Sequence, residues 1–220
     1  VIQSSALPAR TNSTGSTLNI VDQADLKLNG KALSALPLAN GTSLTSAAVV
    51  SWLNTNISTH GLALVAKAEN VIDISRQDID LNASSLSING STINLPSSMN
   101  SLVDLANAIN QSTSDTNVEA VIGVNNSLRL QNTVGNEAAS ITLNSPASVF
   151  KSLAGEVRAA IKIEATRAGG DSSQKEVALT LSSQGTSSDL AALGFSSSLY
   201  IDDTLSEDLI VFATGATSAS

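Results

Sequence analysis

The chain contains no cysteine. That excludes disulfides, thiolate metal sites and a cysteine nucleophile, and it suits a protein that crosses a membrane unfolded without forming wrong crosslinks. Histidine occurs once, at His60, so the paired-histidine zinc signature of a metallopeptidase cannot be assembled. Aromatic residues make up 2% of a sequence that is 42% hydrophobic, and the core is therefore expected to consist of Leu, Ile, Val and Ala. Basic residues are scarce as well. Lys and Arg total 11 against 19 Asp and Glu, a net charge of -8, and they nowhere gather into the stripe that phosphate binding requires. Nucleic acid is accordingly not an expected partner. No apolar run approaches the roughly 20 residues that span a bilayer, so no membrane contact is expected. The opening "VIQSSALPAR" lacks the charged region and apolar stretch of a signal peptide. With Val1 in first place, the chain reads as an excised or processed piece whose export signal, if it is exported, lies elsewhere. No heptad pattern is sustained, which leaves out a polymerising coiled coil.

What the 220 residues do hold is Ser, Thr and Asn in abundance, interleaved with short apolar alternations. This is the composition of an α+β, β-rich chain with many loops, long enough for one large or two small domains. "LSINGSTINL" (86–95) is two alternating strands hinged on Asn89-Gly90, the pair a type I′ hairpin turn prefers because both residues take positive φ. "LKLNGKAL" (26–33) repeats the device at Asn29-Gly30, 60 residues earlier.

The likeness continues beyond the hairpins. In "SMNSLVDLANAINQS" the residues Leu102, Leu105, Ala106 and Ile109 fall at helical spacing, with Ser101 and Asp104 as a capping box. "TSAAVVSWLNTN" supplies Val49, Val50, Trp52 and Leu53 in the matching helix, expected over 46–55 against 101–110, and Leu53-Asn54 answers Ile109-Asn110. Four extra residues in the first copy are placed in the loop "GTSL" (41–44), where insertions are tolerated. A shift of 56 then aligns "GLALVAKAENVIDIS" with "NVEAVIGVNNSLRLQ", pairing Leu62 with Val118, Val65 with Val121 and Ile72 with Leu128. Each segment is expected to be a hairpin (62–74 and 118–130), turning at Glu69-Asn70 and Asn125-Asn126, where Asn tolerates the left-handed conformation. The reading is a duplicated unit of hairpin, helix and hairpin.

The second unit resembles the flagellin hook IN motif family. The residues that carry the resemblance are Ile88-Asn89-Gly90, the helix ending in Ile109-Asn110, Val118, and Gly135 followed by Ile141-Thr142-Leu143. The match spans 84–143, and the first unit looks like a degenerate copy without the Gly-to-Ile-Thr-Leu closure. In that family the motif lies in the outward-facing middle domains of flagellins and hook-associated proteins, the filament cap among them. The resemblance implies an extracellular, non-enzymatic structural domain without cofactor or metal. It would join other flagellar axial subunits through parts of the parent chain that lie outside this sequence, and would be a monomer when isolated. It also leaves O-linked sugars on Ser or Thr possible.

The remaining sequence is expected to be β-rich. "VRAAIKIEA" and "KEVALTLSS" alternate as half-buried strands, joined across "GGDSS" as a long hairpin. Ser188 is a candidate N-cap, Gly194 a helix terminator, and "EDLIVFATG" a buried strand containing Phe212. The expected order is an irregular leading segment (1–20), a degenerate IN-like unit (21–80), an IN-motif unit (81–145) and a β-rich domain (146–220).

Candidate chemistry is sparse. His60, beside Gly61, reads as a solvated loop residue, and a triad needs an oriented base that one histidine among many serines does not signal. Asp73, Asp78 and Asp80 lack the spacing and central Gly of a calcium loop and read as solvent-facing strand charges. The pairs Asp202-Asp203 and Glu207-Asp208 point to opposite faces of a strand. Trp52 reads as core. Asn12-Ser13-Thr14 and Asn82-Ala83-Ser84 are acceptor triplets of the kind this composition produces by chance. The function expected is that of a flagellar structural domain. The alternative from another class is an adhesin repeat that binds glycan or a host protein, which the shortage of aromatics disfavours.

Overall fold

A computed structural model describes residues 1–144, 149–151, 153–166, 177–196 and 209–211. The chain mixes helix and strand and is mostly β. In chain order the first elements are β1 (Ile2–Ala6), β2 (Leu18–Val21), β3 (Leu26–Leu28), β4 (Lys31–Ala32), β5 (Leu36–Leu38), helix α1 (Ser46–Thr59) and β6 (Leu64–Glu69). Next come β7 (Val71–Ile74), β8 (Ser87–Ile88), β9 (Ser91–Thr92), α2 (Leu102–Gln111), the one-turn α3 (Thr113–Thr116), β10 (Val118–Ile122), β11 (Leu128–Asn132), β12 (Ile141–Asn144) and β13 (Gly155–Val157). The last are β14 (Ala160–Ala165), β15 (Leu179–Leu181), α4 (Ser187–Ala192) and β16 (Leu209–Val211).

These elements form two compact units. One comprises Val1–Ala68 and Ala160–Ser220, the other Glu69–Ala159. The discontinuous unit has a three-stranded sheet ordered β1-β14-β6, a four-stranded sheet ordered β16-β15-β3-β4, and the two-stranded ribbon β2-β5. The continuous unit has sheets ordered β7-β11-β10 and β13-β12-β8-β9. Apart from the ribbon and α4, the two correspond strand for strand: β7 stands for β1, β11 for β14, β10 for β6, β12 for β15, and the Asn-Gly hairpin β8-β9 for β3-β4. The continuous unit thus lies in sequence between β6 and β14, two paired strands of the other unit.

This nesting corrects several expectations. The four serial segments (1–20, 21–80, 81–145, 146–220) do not coincide with the units, because strands distant in sequence pair. The segment 1–20 carries β1 and the start of β2. The hairpin expected over 62–74 does not form: β6 pairs with β14, and β7 with β11 in the other unit. Likewise β14 and β15 lie in different sheets and are not a hairpin across "GGDSS", whose residues lie outside those described. Beyond the continuous unit, Val177-Ala178-Leu179 holds the position that Ile141-Thr142-Leu143 holds within it: Leu179 pairs with Leu28 as Leu143 pairs with Ile88.

Local chemistry explains the elements. Both hairpin turns have positive φ at each central residue, 47° and 76° at Asn29-Gly30 and 51° and 81° at Asn89-Gly90. Helix α2 opens with the expected box: Ser101 Oγ accepts from Asp104 N–H at 3.2 Å, and Asp104 Oδ2 accepts from Ser101 N–H at 3.1 Å. Its buried face is Leu102, Leu105, Ala106, Ala108 and Ile109. Helix α1 is capped by Thr45 and runs to Thr59, beyond the expected 46–55. Helix α4 is capped at Thr186, not Ser188, with Asp189 accepting from Thr186 N–H at 2.8 Å, and Gly194 follows it at φ 81°. Each unit encloses its own aliphatic core, around Leu26, Leu28, Leu53, Ile161 and Leu179 in one and Ile88, Leu105, Ile109, Leu128 and Leu143 in the other.

Candidate functional site: asparagine clasps

The motif asparagines share a structural role that spacing alone did not reveal: their side chains complete β-ladders. Asn110, at the end of α2, grips the backbone of Ala120 with both ends of its amide. Its Nδ2 donates to Ala120 O at 2.9 Å and its Oδ1 accepts from Ala120 N–H at 2.7 Å. Those two peptide groups point away from β11, since β10 is the outer strand of its sheet. The amide therefore sits where a further strand would be. Asn54 on α1 does the same to Ala66 on β6, the outer strand of its own sheet, with both bonds at 2.9 Å. The preceding residue is fully buried in each case, Ile109 and Leu53, and anchors the helix that carries the clasp.

These contacts correct the alignment. The clasp spans 12 positions in the first copy and 10 in the second, so Ala66 answers Ala120 and the gapless shift of 56 fails beyond the helix. The face parity survives because the slip is two residues.

The hairpin asparagines form a second matched pair. Asn89 N–H donates to Thr142 O at 2.8 Å, and Asn89 Oδ1 accepts from Thr142 N–H at 2.8 Å. Asn29 makes the same two bonds with Ala178, both at 2.8 Å. At positive φ the side chain extends the ladder one rung past the strand, while Gly30 and Gly90 complete the turn. Asn89 also donates from Nδ2 to Thr116 O at 2.7 Å.

Sequence reasoning missed several supporting groups. Thr116 Oγ1 accepts from Val118 N–H at 3.1 Å, and Thr113 Oγ1 donates to Val118 O at 3.1 Å, extending the cover on the β10 edge. Asn70 is not a turn residue: it is buried, and its Nδ2 donates to Ala139 O at 3.0 Å and Val157 O at 2.8 Å. On α1 and its C-cap, residues four apart reach the strand connection Ala32–Ser34. Trp52 Nε1 donates to Ser34 O at 3.1 Å, Asn56 Oδ1 accepts from Ser34 N–H at 2.8 Å, and His60 Nε2 donates to Ala32 O at 2.8 Å. His60 is thus engaged, not a solvated loop residue.

Titratable groups serve similar ends. Asp73 pairs with Arg129 across β7 and β11, Nε to Oδ1 at 2.8 Å and Nη2 to Oδ2 at 3.1 Å. Asp80 Oδ1 accepts from Asn82 N–H, and Asp78 lies in the short helical turn Arg76–Asp78. The Asn100 N–H and the Ser101 cap hold the Asp104 carboxyl below its ordinary value, and Lys162 and Lys67 do so for Glu164. Asn12 is buried, with Nδ2 donating to Ser16 O and Leu38 O at 2.7 Å each, which removes it as a sugar acceptor. The acid pairs at 202–203 and 207–208, and Phe212, lie outside the described residues.

Among the described residues no three His, Asp or Glu side chains gather as metal ligands, and no helix is long and apolar enough to cross a membrane. Two depressions of note are open and lie along the helices. One of about 520 Å³ is lined by Ser51, Asn54, Thr55, Ser58 and Thr59. The other, of about 410 Å³, has Asp104, Asn107 and Gln111 on its rim. Neither holds a nucleophile with a base beside it. No family model matches the chain, and no curated protein matches it either.

Proposed function

We propose that this chain is a non-enzymatic structural module, the exposed middle region of a bacterial flagellar axial protein, either a hook-associated protein or a flagellin. The observation that carries the reading is the recurrence of one clasp in two units: Ile109-Asn110 on Ala120, Leu53-Asn54 on Ala66. The residues that resemble the IN motif are spent on holding a scaffold, as a module built to be stiff and to present polar surface requires. On this reading two IN-type units, one nested in the other, stand off the filament into the medium. They take no cofactor and reach the other axial subunits through parts of the parent chain outside this sequence. The module is extracellular and contacts neither nucleic acid nor membrane.

Immunogold labelling of intact cells that produce the protein tests this. Gold along the flagellum or at its tip is the expected result. Label confined to the cell envelope would overturn the flagellar reading and favour an adhesin.

A further inference from the structure

The outer strand β10 has the sequence Val118-Glu119-Ala120-Val121-Ile122 and is followed by Gly123-Val124. It is rich in β-branched residues, carries one charge and has no proline, which is the composition of a segment prone to pair with its like. Two of its apolar side chains are partly open to solvent, Val121 at 46% and Ile122 at 39% exposure. In an antiparallel ladder the outward peptide groups alternate, so Val118, Ala120 and Ile122 turn theirs to the free edge. The first two are covered, Val118 by Thr113 and Thr116 and Ala120 by Asn110. Asn110 is itself exposed. The Asn110 amide, carried on α2, thus occupies the middle of this edge. In the other unit Asn54 holds the same place on β6.

We propose that Asn110 and Asn54 are strand surrogates that close the outer sheet edges to strand addition by a second copy of this chain. A second copy is the natural occupant because an edge strand complements itself: antiparallel pairing about a two-fold axis presents the same groups on both sides. The amide makes the same pair of bonds, one donated and one accepted, that an incoming residue would make. The ladder is satisfied, and the edge offers nothing at Ala120 to exchange.

The test uses the full 220-residue chain and compares Asn110→Ala with Asn110→Asp. Both remove the donor to Ala120 O; alanine also removes the acceptor for Ala120 N–H, which aspartate keeps. Alanine leaves the edge bare, whereas aspartate puts a charge on it, which deters strand addition. Light scattering across a dilution series is expected to show Asn110→Ala gaining mass on concentration while Asn110→Asp stays a single chain. Equal behaviour of the two, whether both associate or both stay single, overturns the proposal, because it ties association to lost stability or finds none. Should Asn110→Ala fail to fold, Asn54→Ala against Asn54→Asp decides it by the same comparison.

Discussion

Replacing Asn89 by alanine removes three things at once, and Asn126 provides the comparison that separates them. Asn89 sits at φ 51° and Asn126 at φ 55°, so either alanine inherits a left-handed backbone. That strain costs about 1 kcal/mol. Asn126 is exposed and its side chain makes no hydrogen bond among the described residues, so its replacement stops there. Asn89 in addition accepts from Thr142 N–H at 2.8 Å and donates to the carbonyl of buried Thr116 at 2.7 Å. Each lost bond is worth about 1 kcal/mol, more where the abandoned partner stays out of reach of water. Asn89→Ala is therefore expected to destabilise the continuous unit by about 3 kcal/mol and Asn126→Ala by about 1 kcal/mol. Urea unfolding followed by far-ultraviolet circular dichroism, with amide exchange at residues 118–132 to identify the unit, measures both. Equal losses in the two variants would refute the ladder role of the Asn89 side chain.

Gly185→Ala is expected to destabilise the discontinuous unit by about 1–3 kcal/mol, since its Cβ would collide with the Asp25 carbonyl, a backbone atom that also accepts from Ser182 N–H. The sole tryptophan, Trp52, lies in that unit, so its fluorescence follows the loss; an unchanged midpoint would contradict the contact. Acid should weaken the fold. Asp104, Glu137 and Glu164 all have carboxyls held below their ordinary values, by the Asn100 N–H, the Gly135 N–H and Lys162 respectively. A depressed folded-state pKa stabilises above the unfolded value and is lost as pH falls through the folded one. Urea midpoints should hold from neutral pH down to the ordinary carboxylate range and drop below it; a midpoint that rises on acidification would reverse the sign.

The parts of the fold legible in the sequence are those fixed by neighbours in the chain. Asn-Gly turns, the Ser101–Asp104 box and the 102/105/106/109 face each depend on residues within one turn of helix or hairpin, and each is found. Pairing is another matter. Nothing in "LVAKAENVIDI" says that its two strands belong to different sheets, because alternation reports which face is buried and not which strand lies alongside. The counterpart of Ile141-Thr142-Leu143 escaped notice for the same reason: Val177-Ala178-Leu179 lies a whole unit beyond its partner Leu28. The clasps were half legible. Aligning Leu53-Asn54 with Ile109-Asn110 showed that the asparagine recurs, but the bond it makes depends on where the outer strand runs.

Nesting sets an order of assembly. Asn89 and its partner Thr142 are 53 positions apart, while Asn29 and Ala178 are 149 apart. By chain statistics alone, closing the longer loop costs about 0.9 kcal/mol more, and contacts at greater separation form later. During synthesis the continuous unit is complete before β14 and β15 exist, so it is free to fold first. When it does, Asn70 binds Val157 O and draws its entrance and exit together. For the unfinished sheet, the stretch between β6 and β14 then behaves as a turn with a folded body on it. A lesion inside the continuous unit is thus expected to slow closure of the other unit while leaving every contact of that unit's own core untouched.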